Sequence, residues 1–176
     1  MNKELMFSSK NQAWATPRDL FRELNKKYKF TLDPCAEKDN AVCKTYFNEK
    51  QDGLKQSWKG KKVFINPPFK DVGKWVKKAY DEVMKNGCKV AVLLIAARTD
   101  TKWYHNYVWD AKKLKFRPHV KYIQFVPGRL VFGTDKYWRW VWKQKKLDGK
   151  FNKLYGTKKK NPATFPSLIV EFRKGR

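Results

Sequence analysis

The chain has 176 residues, enough for one domain that buries about two thirds of the surface its unfolded form would expose. Its 41 Lys and Arg residues outnumber its 16 Asp and Glu residues by 25, more positive charge than solubility requires, which indicates a polyanionic partner. The 28 aromatic residues could stack on bases and favour nucleic acid over an anionic membrane surface, and no apolar run approaches the length of about 18 residues that spans a membrane.

The first half of the chain contains one helix and two strands with clear signals. Thr16-Pro17 predicts a helix start, with Thr16 as the N-cap and Pro17 at the first helical position, and the helix should extend to about Lys27. Strands are predicted for residues 28–33 (YKFTLD) and for residues 62–66 (KVFIN). The stretch between them is short for two full strand–helix units, so we expect one strand there to be shortened or missing.

The second half continues the alternation of helices and strands. Residues 70–87 have helical spacing and end at Asn86-Gly87, and KVAVLLIAA (residues 89–97) predicts a central strand buried on both faces. TKWYHNYVWDA is predicted to be another helix, and VKYIQFV, RLVF and PSLIVEF are predicted to be strands. The alternation predicts one α/β domain over residues 1–176, with a mainly parallel sheet and crossover helices.

A basic, Trp-rich insertion at residues 136–160 interrupts this pattern near the C-terminus. Its 25 residues hold ten Lys or Arg, one acid and six aromatics, and a connection this long is usually functional or disordered. Three tryptophans at alternate positions would share one face of an extended strand, where they could pack on the core or stack on bases. Because cations interleave with the rings, we favour DNA contact over packing alone. The predicted DNA contacts here are Trp138, Arg139, Trp140, Trp142, Lys143, Lys145 and Lys146.

The sequence VFINPPF places a polar side chain at the carboxyl end of a strand, where ligands bind in parallel sheets. Pro67 and Pro68 lack N–H groups and make a rigid turn that presents backbone carbonyls at a fixed place. Asn66 adds a neutral side-chain oxygen, and Phe69 adds a flat ring. Together these four residues could hold a planar group that carries an NH₂, although Asn-Pro-Pro is also an ordinary strand-ending turn.

An exocyclic amine such as adenine N6 is a poor nucleophile, because its lone pair is delocalised into the ring. The Asn66 oxygen and the Pro67 carbonyl would accept its two hydrogens and favour a tetrahedral nitrogen, while Phe69 stacks on the base. Such a nitrogen could attack an electrophilic methyl group in line, so catalysis would rest on positioning and electrostatics, with no metal.

The chain resembles the phage-type DNA N-6-adenine methyltransferase family (Dam-like), whose members use S-adenosylmethionine. WATPRDLF and FTLDPCA resemble its opening methionine-binding segments, DGLKQSW its next acidic segment and VFINPPF its catalytic motif. LLIAARTDTKWYH, FVPGRLVF and FPSLIVEF resemble its later segments in the same order. The resemblance extends from Trp14 to about Phe172. It implies a Rossmann-like methyltransferase sheet, reduced where the chain is short.

The resemblance also implies residue roles. Asp33 would lie near the methionine moiety of the cofactor and Asp52 near the amine of its adenine; Asn40 and Glu37 are candidates for the ribose. The implied cofactor-binding residues are Trp14, Thr16, Pro17, Asp33, Ala36 and Asp52, and the catalytic residues are Asn66, Pro67, Pro68 and Phe69. The sequence departs from many methyltransferases in having DPCAEKDNA in place of a Gly-x-Gly turn after the first strand.

Double-stranded DNA is the implied partner, with no obligate protein partner and no membrane. An adenine amine inside a duplex is not accessible, so the target base would have to be flipped out. Arg98, Lys102 and Arg129 are predicted to add DNA contacts near the site, although surface ion pairs or solvated charge would also explain them. Similarity to phage enzymes suggests protection of DNA against restriction, in the cytoplasm of a host cell.

Other functions compatible with the sequence make less use of its motifs. A non-enzymatic basic DNA-binding protein explains the charge but not the ordered motifs, and a protein-glutamine methyltransferase does not require the charge. A small nuclease rests only on the weak EFRK pattern. Zinc at Cys35, Cys43 and His105 or His119 has no recognised spacing. The three cysteines lack a CxxC pair and no signal peptide follows Met1, so we expect a soluble protein in a reducing compartment.

Overall fold

The computed structural model of the protein describes residues 15–130, 132 and 163–175. These residues form three α-helices, α1 (Arg18–Tyr28), α2 (Val72–Met84) and α3 (Lys102–Tyr107), and a 3₁₀ turn at Phe69–Asp71. The strands are β1 (Lys62–Ile65), β2 (Val90–Ala96), β3 (Trp109–Asp110), β4 (Lys115–Phe116), β5 (Val120–Phe125) and β6 (Ser167–Phe172). Among these helices, none is long and apolar enough to cross a membrane.

The main sheet has the strand order β1-β2-β6-β5 and is mixed. β1 and β2 pair in parallel, whereas β6 is antiparallel to both β2 and β5. β1, β2 and β5 therefore point the same way and β6 is reversed between them. The prediction of a mainly parallel sheet is wrong in this respect, because the reversed β6 makes two of the three strand pairings antiparallel. Leu32 extends the sheet beyond β1 through a parallel bridge to Val63.

Helices cover both faces of this sheet. Phe64 packs with the buried face of α1, whereas Val63 and Ile65 pack with α2 on the opposite face. The same alternation in β2 buries all seven of its residues, as expected for a central strand with two covered faces. The core is therefore divided into two layers by the sheet, and the chain is α/β as predicted.

The longest predicted elements are confirmed. The structure contains the first helix, the helix that ends before Asn86-Gly87, and the helix after β2, here α1, α2 and α3; β1, β2, β5 and β6 occupy the predicted strands. Gly87 adopts a φ of +79°, which suits its role after a helix end.

Two predictions about local structure are wrong, and one hairpin was missed. Residues 28–33 do not form a full strand, because Tyr28 belongs to α1 and only single bridges remain at Leu32 and Asp33. Arg129 and Leu130, the described part of RLVF that precedes residue 131, are not in a strand. The β3–β4 hairpin was not predicted, since strands of two residues have no periodicity to detect. The predicted insertion at residues 136–160 lies outside the described residues.

Glu82 connects α2 to the loop that precedes β1. Its carboxylate is 2% exposed and accepts hydrogen bonds from the backbone N–H of Trp58 (2.8 Å), from Lys78 Nζ (2.8 Å) and from Asn86 Nδ2 (3.0 Å). The Trp58 indole in turn donates to the carbonyl of Gly53 at 3.1 Å. One buried carboxylate thus holds α2, the Trp58 ring and the residues around Gly53 together.

We expect Glu82→Ala to lower the free energy of unfolding by about 3 kcal/mol, because it leaves the Trp58 N–H and the Lys78 ammonium buried without their acceptor. The matched control is Asp81→Ala, which removes a neighbouring carboxylate whose partners Lys77 and Lys85 are largely exposed and should cost less than about 1 kcal/mol. Urea unfolding of both variants measures the difference. Equal losses would contradict the role of Glu82.

Candidate active site

The site begins where residues 31–33 lie beside β1. The backbone N–H of Thr31 donates to the carbonyl of Lys62 at 2.7 Å, and that of Phe64 donates to the carbonyl of Leu32 at 3.0 Å. Because the two segments are parallel, their carboxyl ends meet at one edge of the sheet. Asp33 and Asn66, which follow these ends, therefore lie at the same edge.

A cavity of about 760 Å³ opens at this edge. Among the described residues, its lining includes five of the chain's sixteen Asp and Glu residues and one cation, Lys70. Two of the acids have exposed lysine partners, Asp52 with Lys55 at 3.2 Å and Asp71 with Lys74 at 2.9 Å. The acids in the lining are Asp33, Glu37, Glu49, Asp52 and Asp71. A strongly basic chain has thus concentrated negative charge around one cavity.

Asp33 is the most buried of these acids, with 5% of its surface exposed. Its carboxylate accepts hydrogen bonds from the backbone N–H groups of Val42 (3.2 Å) and Cys35 (3.5 Å). Burial raises the pKa of Asp33 to about 6, and these two hydrogen bonds only partly oppose that shift. Asp33 is therefore poised to change its charge just below neutral pH.

The cavity wall is held by close backbone contacts. The N–H of Phe47 donates to the carbonyl of Asp33 (3.0 Å), and that of Ala36 donates to the carbonyl of Phe47 (3.1 Å). Gly53 lies so close to Pro34 that a Cβ at position 53 would be 1.9 Å from the Pro34 oxygen. Only glycine fits there, and this contact fixes the distance between the turn after Asp33 and the turn that carries Asp52.

Asn66 is joined to the segment before α1. Its side-chain Nδ2 donates a hydrogen bond to the Thr16 hydroxyl oxygen at 3.0 Å, and Thr16 is 7% exposed. The prediction that Thr16 caps α1 is wrong: Pro17 occupies the N-cap position, and no side-chain hydrogen bond caps the helix. The Thr16 hydroxyl, which was expected to cap α1, instead accepts a hydrogen bond from Asn66.

An aromatic cluster continues from the cavity beyond the two prolines. The Phe69 ring makes edge contacts with Phe165 (4.6 Å between centroids) and Phe132 (6.5 Å). Pro67 is buried, and Pro68 precedes the 3₁₀ turn at Phe69–Asp71. The tetrapeptide therefore separates an acidic cavity from a group of half-buried rings.

The structure brings together most of the predicted site. The predicted residues that line the cavity are Thr16, Asp33, Ala36, Asp52, Asn66 and Pro68, together with the ribose candidates Glu37 and Asn40. Pro17, Pro67 and Phe69 lie next to lining residues without lining the cavity themselves. The predicted residues that fall outside the described residues are Trp14, Trp138, Arg139, Trp140, Trp142, Lys143, Lys145 and Lys146.

The three other predicted DNA contacts follow the carboxyl ends of β2 and β5. Arg98 and Lys102 are exposed after β2, at the same edge of the sheet as Asn66. Arg129 follows β5 and is half-buried, and its Nη1 atom is buried with no hydrogen-bond partner among the residues that the structure describes. A buried guanidinium nitrogen without a partner is costly, so it suits a position that an anion completes.

Several lining residues were not predicted. Glu49 and Asp71 come from a loop and a 3₁₀ turn, and Phe47, Leu54 and Trp75 add apolar surface. Asp71 directly follows the Asn-Pro-Pro-Phe-Lys stretch, so its nearness was readable from the sequence. The position of Glu49 in the lining could not be predicted, because the loop that carries it shows no periodic pattern in the sequence.

The cysteines and histidines of the described residues form no metal site, since no group of three or more potential ligands clusters there. Cys35 lines the cavity. Desolvation, and then the negative charge of Asp33, raise the pKa of the Cys35 thiol well above its ordinary value. The thiol is therefore protonated at neutral pH and is not an activated nucleophile.

A mixed α/β domain with an acidic cavity beside Asn-Pro-Pro-Phe is consistent with a methyltransferase-like domain. A family model described as "DNA N-6-adenine-methyltransferase (Dam)" matches residues 4–137, more than half of the chain. The chain belongs to this family. The family name implies S-adenosylmethionine as the methyl donor, and the resemblance seen in the sequence motifs is confirmed.

Two phage proteins are similar to the chain. A DNA N-6-adenine-methyltransferase of Haemophilus phage HP1 is 29% identical over 138 residues, which cover 77% of this chain and 79% of that protein. A DNA N-6-adenine-methyltransferase of Escherichia phage T1 is 33% identical over 93 residues, covering 52% of this chain. The chain spans 38% of the length of the phage T1 protein.

We expect Gly53→Ala to lower the free energy of unfolding by about 2 kcal/mol, because the new methyl group would overlap the Pro34 carbonyl. Gly73→Ala is the matched control: its Cβ would be 3.2 Å from the side chain of Trp103, which can move, and alanine favours the helix, so the change should stay within about 1 kcal/mol. Chemical denaturation compares them. A Gly53→Ala protein as stable as the wild type would show that Pro34 moves freely.

Proposed function

We propose that the protein transfers a methyl group from S-adenosylmethionine to N6 of an adenine in DNA. The observation that carries this proposal is a single cavity lined both by the residues expected to hold the methyl donor and by Asn66, the residue expected to hold the target amine. The names of the family and of both phage relatives support the same reaction.

The lining of the cavity fits the donor. S-adenosylmethionine carries an ammonium and a sulfonium cation, and the described part of the lining, with five carboxylates and one lysine, favours positive charge. Asp33, buried at the carboxyl edge of the sheet, would face the methionine part, and Asp52 would face the adenine amine. When bound, S-adenosylmethionine supplies an electrophilic methyl group. The residues of the chain bind and orient the donor and take no covalent part.

Asn66 and Pro67 would hold the acceptor. The Asn66 side-chain oxygen and the Pro67 carbonyl accept the two hydrogens of the adenine amine, which favours a tetrahedral nitrogen with its lone pair directed at the methyl carbon. The amine nitrogen, held by Asn66 and Pro67, would take the methyl group as the donor's carbon–sulfur bond breaks to leave a neutral thioether, and would then lose one proton to solvent. Asn66 is neutral and acts by hydrogen bonding, not as a strong base.

The base would enter from the aromatic side of the tetrapeptide. Phe69 would stack on the base, and its ring makes an edge contact with Phe165 that helps to orient it. The adenine must leave the duplex to reach this place. Arg98, Lys102 and Arg129 would contact the DNA backbone near the site, and the insertion at residues 136–160 would grip the duplex. With this substrate, we expect the protein to act in the cytoplasm of a host cell.

We expect Asn66→Ala to reduce methyl transfer at least about 100-fold while S-adenosylmethionine binding changes little, because the amide contributes to holding the reacting amine. Transfer of radioactive methyl groups to unmethylated DNA and calorimetric binding of the cofactor measure the two effects. Sequencing that detects N6-methyladenine in DNA from cells expressing the wild type identifies the product and its sequence context.

The matched control for this experiment is Asn106→Ala, which removes an exposed amide from α3 and should leave methyl transfer unchanged. A near-normal rate for Asn66→Ala would contradict the role of Asn66. Undiminished DNA binding with no methyl incorporation by the wild type would instead favour a non-enzymatic DNA-binding protein.

We expect S-adenosylmethionine binding to weaken as pH falls through about 6, the pKa of Asp33 in the folded protein. Above that pH the Asp33 carboxylate is charged and attracts the donor's cations; below it the carboxyl group is neutral, so the dissociation constant should rise by up to about tenfold per pH unit. Asp33→Asn should bind weakly with a flatter profile between pH 5 and about 7. A wild-type affinity that is constant over this range would exclude Asp33 from the donor site.

A further inference from the structure

We propose that Thr16 is a positioning residue for methyl transfer: its hydroxyl orients the Asn66 amide, so that the donor side of the cavity sets the geometry of the acceptor. The inference rests on the proposed function of Asn66. It assigns to the Thr16 hydroxyl a task distinct from shaping the donor pocket.

The contact is direct and partly buried. Asn66 Nδ2 donates to Thr16 Oγ1 at 3.0 Å, between residues 50 positions apart, and Thr16 is only 7% exposed. An asparagine amide has an oxygen at one end and a nitrogen at the other, and a rotation of 180° exchanges them. In this structure Thr16 binds the nitrogen end of the amide, so the oxygen is directed away from Thr16, and the proposed chemistry requires the oxygen for the target amine.

The Thr16 hydroxyl has no capping role in α1. A side chain at the N-cap position can cap a free N–H in the first turn, a contribution of about 1 kcal/mol, but Pro17 occupies that position in α1 and makes no side-chain cap hydrogen bond. The hydrogen bond that the structure gives the Thr16 hydroxyl is the one from Asn66.

The location of Thr16 allows the contact to couple the donor side of the cavity to the orientation of the Asn66 amide. Thr16 and Asn66 both line the cavity that the donor would occupy, and β1 ends immediately before Asn66. Pro17 restricts the backbone of Thr16 to an extended conformation, so the hydroxyl has little freedom to follow a displaced amide. Thr16 therefore holds the amide from a rigid support.

The test separates positioning from donor binding. Thr16→Val removes the hydroxyl with little change in volume, and Thr16→Ser keeps the hydroxyl. The single-turnover rate constant of methyl transfer is measured at saturating DNA and S-adenosylmethionine, and the dissociation constant of S-adenosylmethionine is measured separately by calorimetry. We expect Thr16→Val to lower the rate constant about 10- to 100-fold with a dissociation constant within about threefold of wild type, and Thr16→Ser to recover the rate.

Thr31→Val is the matched control. The Thr31 hydroxyl also accepts a hydrogen bond close to β1, from the Lys62 N–H at 3.0 Å, but it lies at the opposite end of the strand and does not line the cavity. The single-turnover rate constant of the Thr31→Val variant should equal that of the wild type. A general loss of packing at β1 would slow both threonine variants.

Three results would overturn the inference. These are a normal rate for Thr16→Val, a loss that lies entirely in the dissociation constant of S-adenosylmethionine, or a loss that Thr16→Ser does not recover. An Asn66→Ala protein with full activity would refute the proposed function of Asn66 itself. If Asn66→Ala is inactive while Thr16→Val is normal, the proposed function stands and only the role of Thr16 fails.

Discussion

The parallel pairing of residues 31–33 with β1 is the constraint on which the site depends. It is short, formed by hydrogen bonds such as those from Thr31 to Lys62 and from Phe64 to Leu32, yet it brings Asp33 and Asn66 from distant parts of the chain to one edge. The surrounding structure supports this pairing from both faces, through Phe64 against α1 and Val63 against α2. The Glu82, Trp58 and Gly53 contacts then hold the far wall of the cavity in place.

The charge distribution separates the two proposed ligands. A net charge of +25 attracts DNA to the protein as a whole, whereas the five acids that line the cavity repel phosphate from it and favour a cation. The two fields can coexist because charge interactions decay over about 8–10 Å at physiological salt. Asn66 is neutral and lies in the acidic lining, so it can accept hydrogen bonds from a base without adding to either field.

The sequence predicted the parts of the fold that have a strong local signal. α1 and α2 have apolar residues at helical spacing, β2 is a continuous apolar run, and the motif around Asn66 follows a buried strand. The direction of a strand leaves no periodic pattern in the sequence, which is why the antiparallel β6 was not predicted. The two-residue strands of the β3–β4 hairpin are too short to show alternation. The capping role of Thr16 was predicted from local preference alone, which does not register a hydrogen bond to a residue 50 positions away.

The choice of asparagine at position 66 follows from its surroundings. A carboxylate there would join five others around one cavity, in a setting where burial already raises the pKa of Asp33 to about 6. A sixth acid would add negative charge to this lining and would be harder to ionise there. An amide oxygen remains an acceptor at every pH. In the proposed arrangement the uncharged Thr16 hydroxyl accepts a hydrogen bond from the amide nitrogen and leaves the amide oxygen for the base.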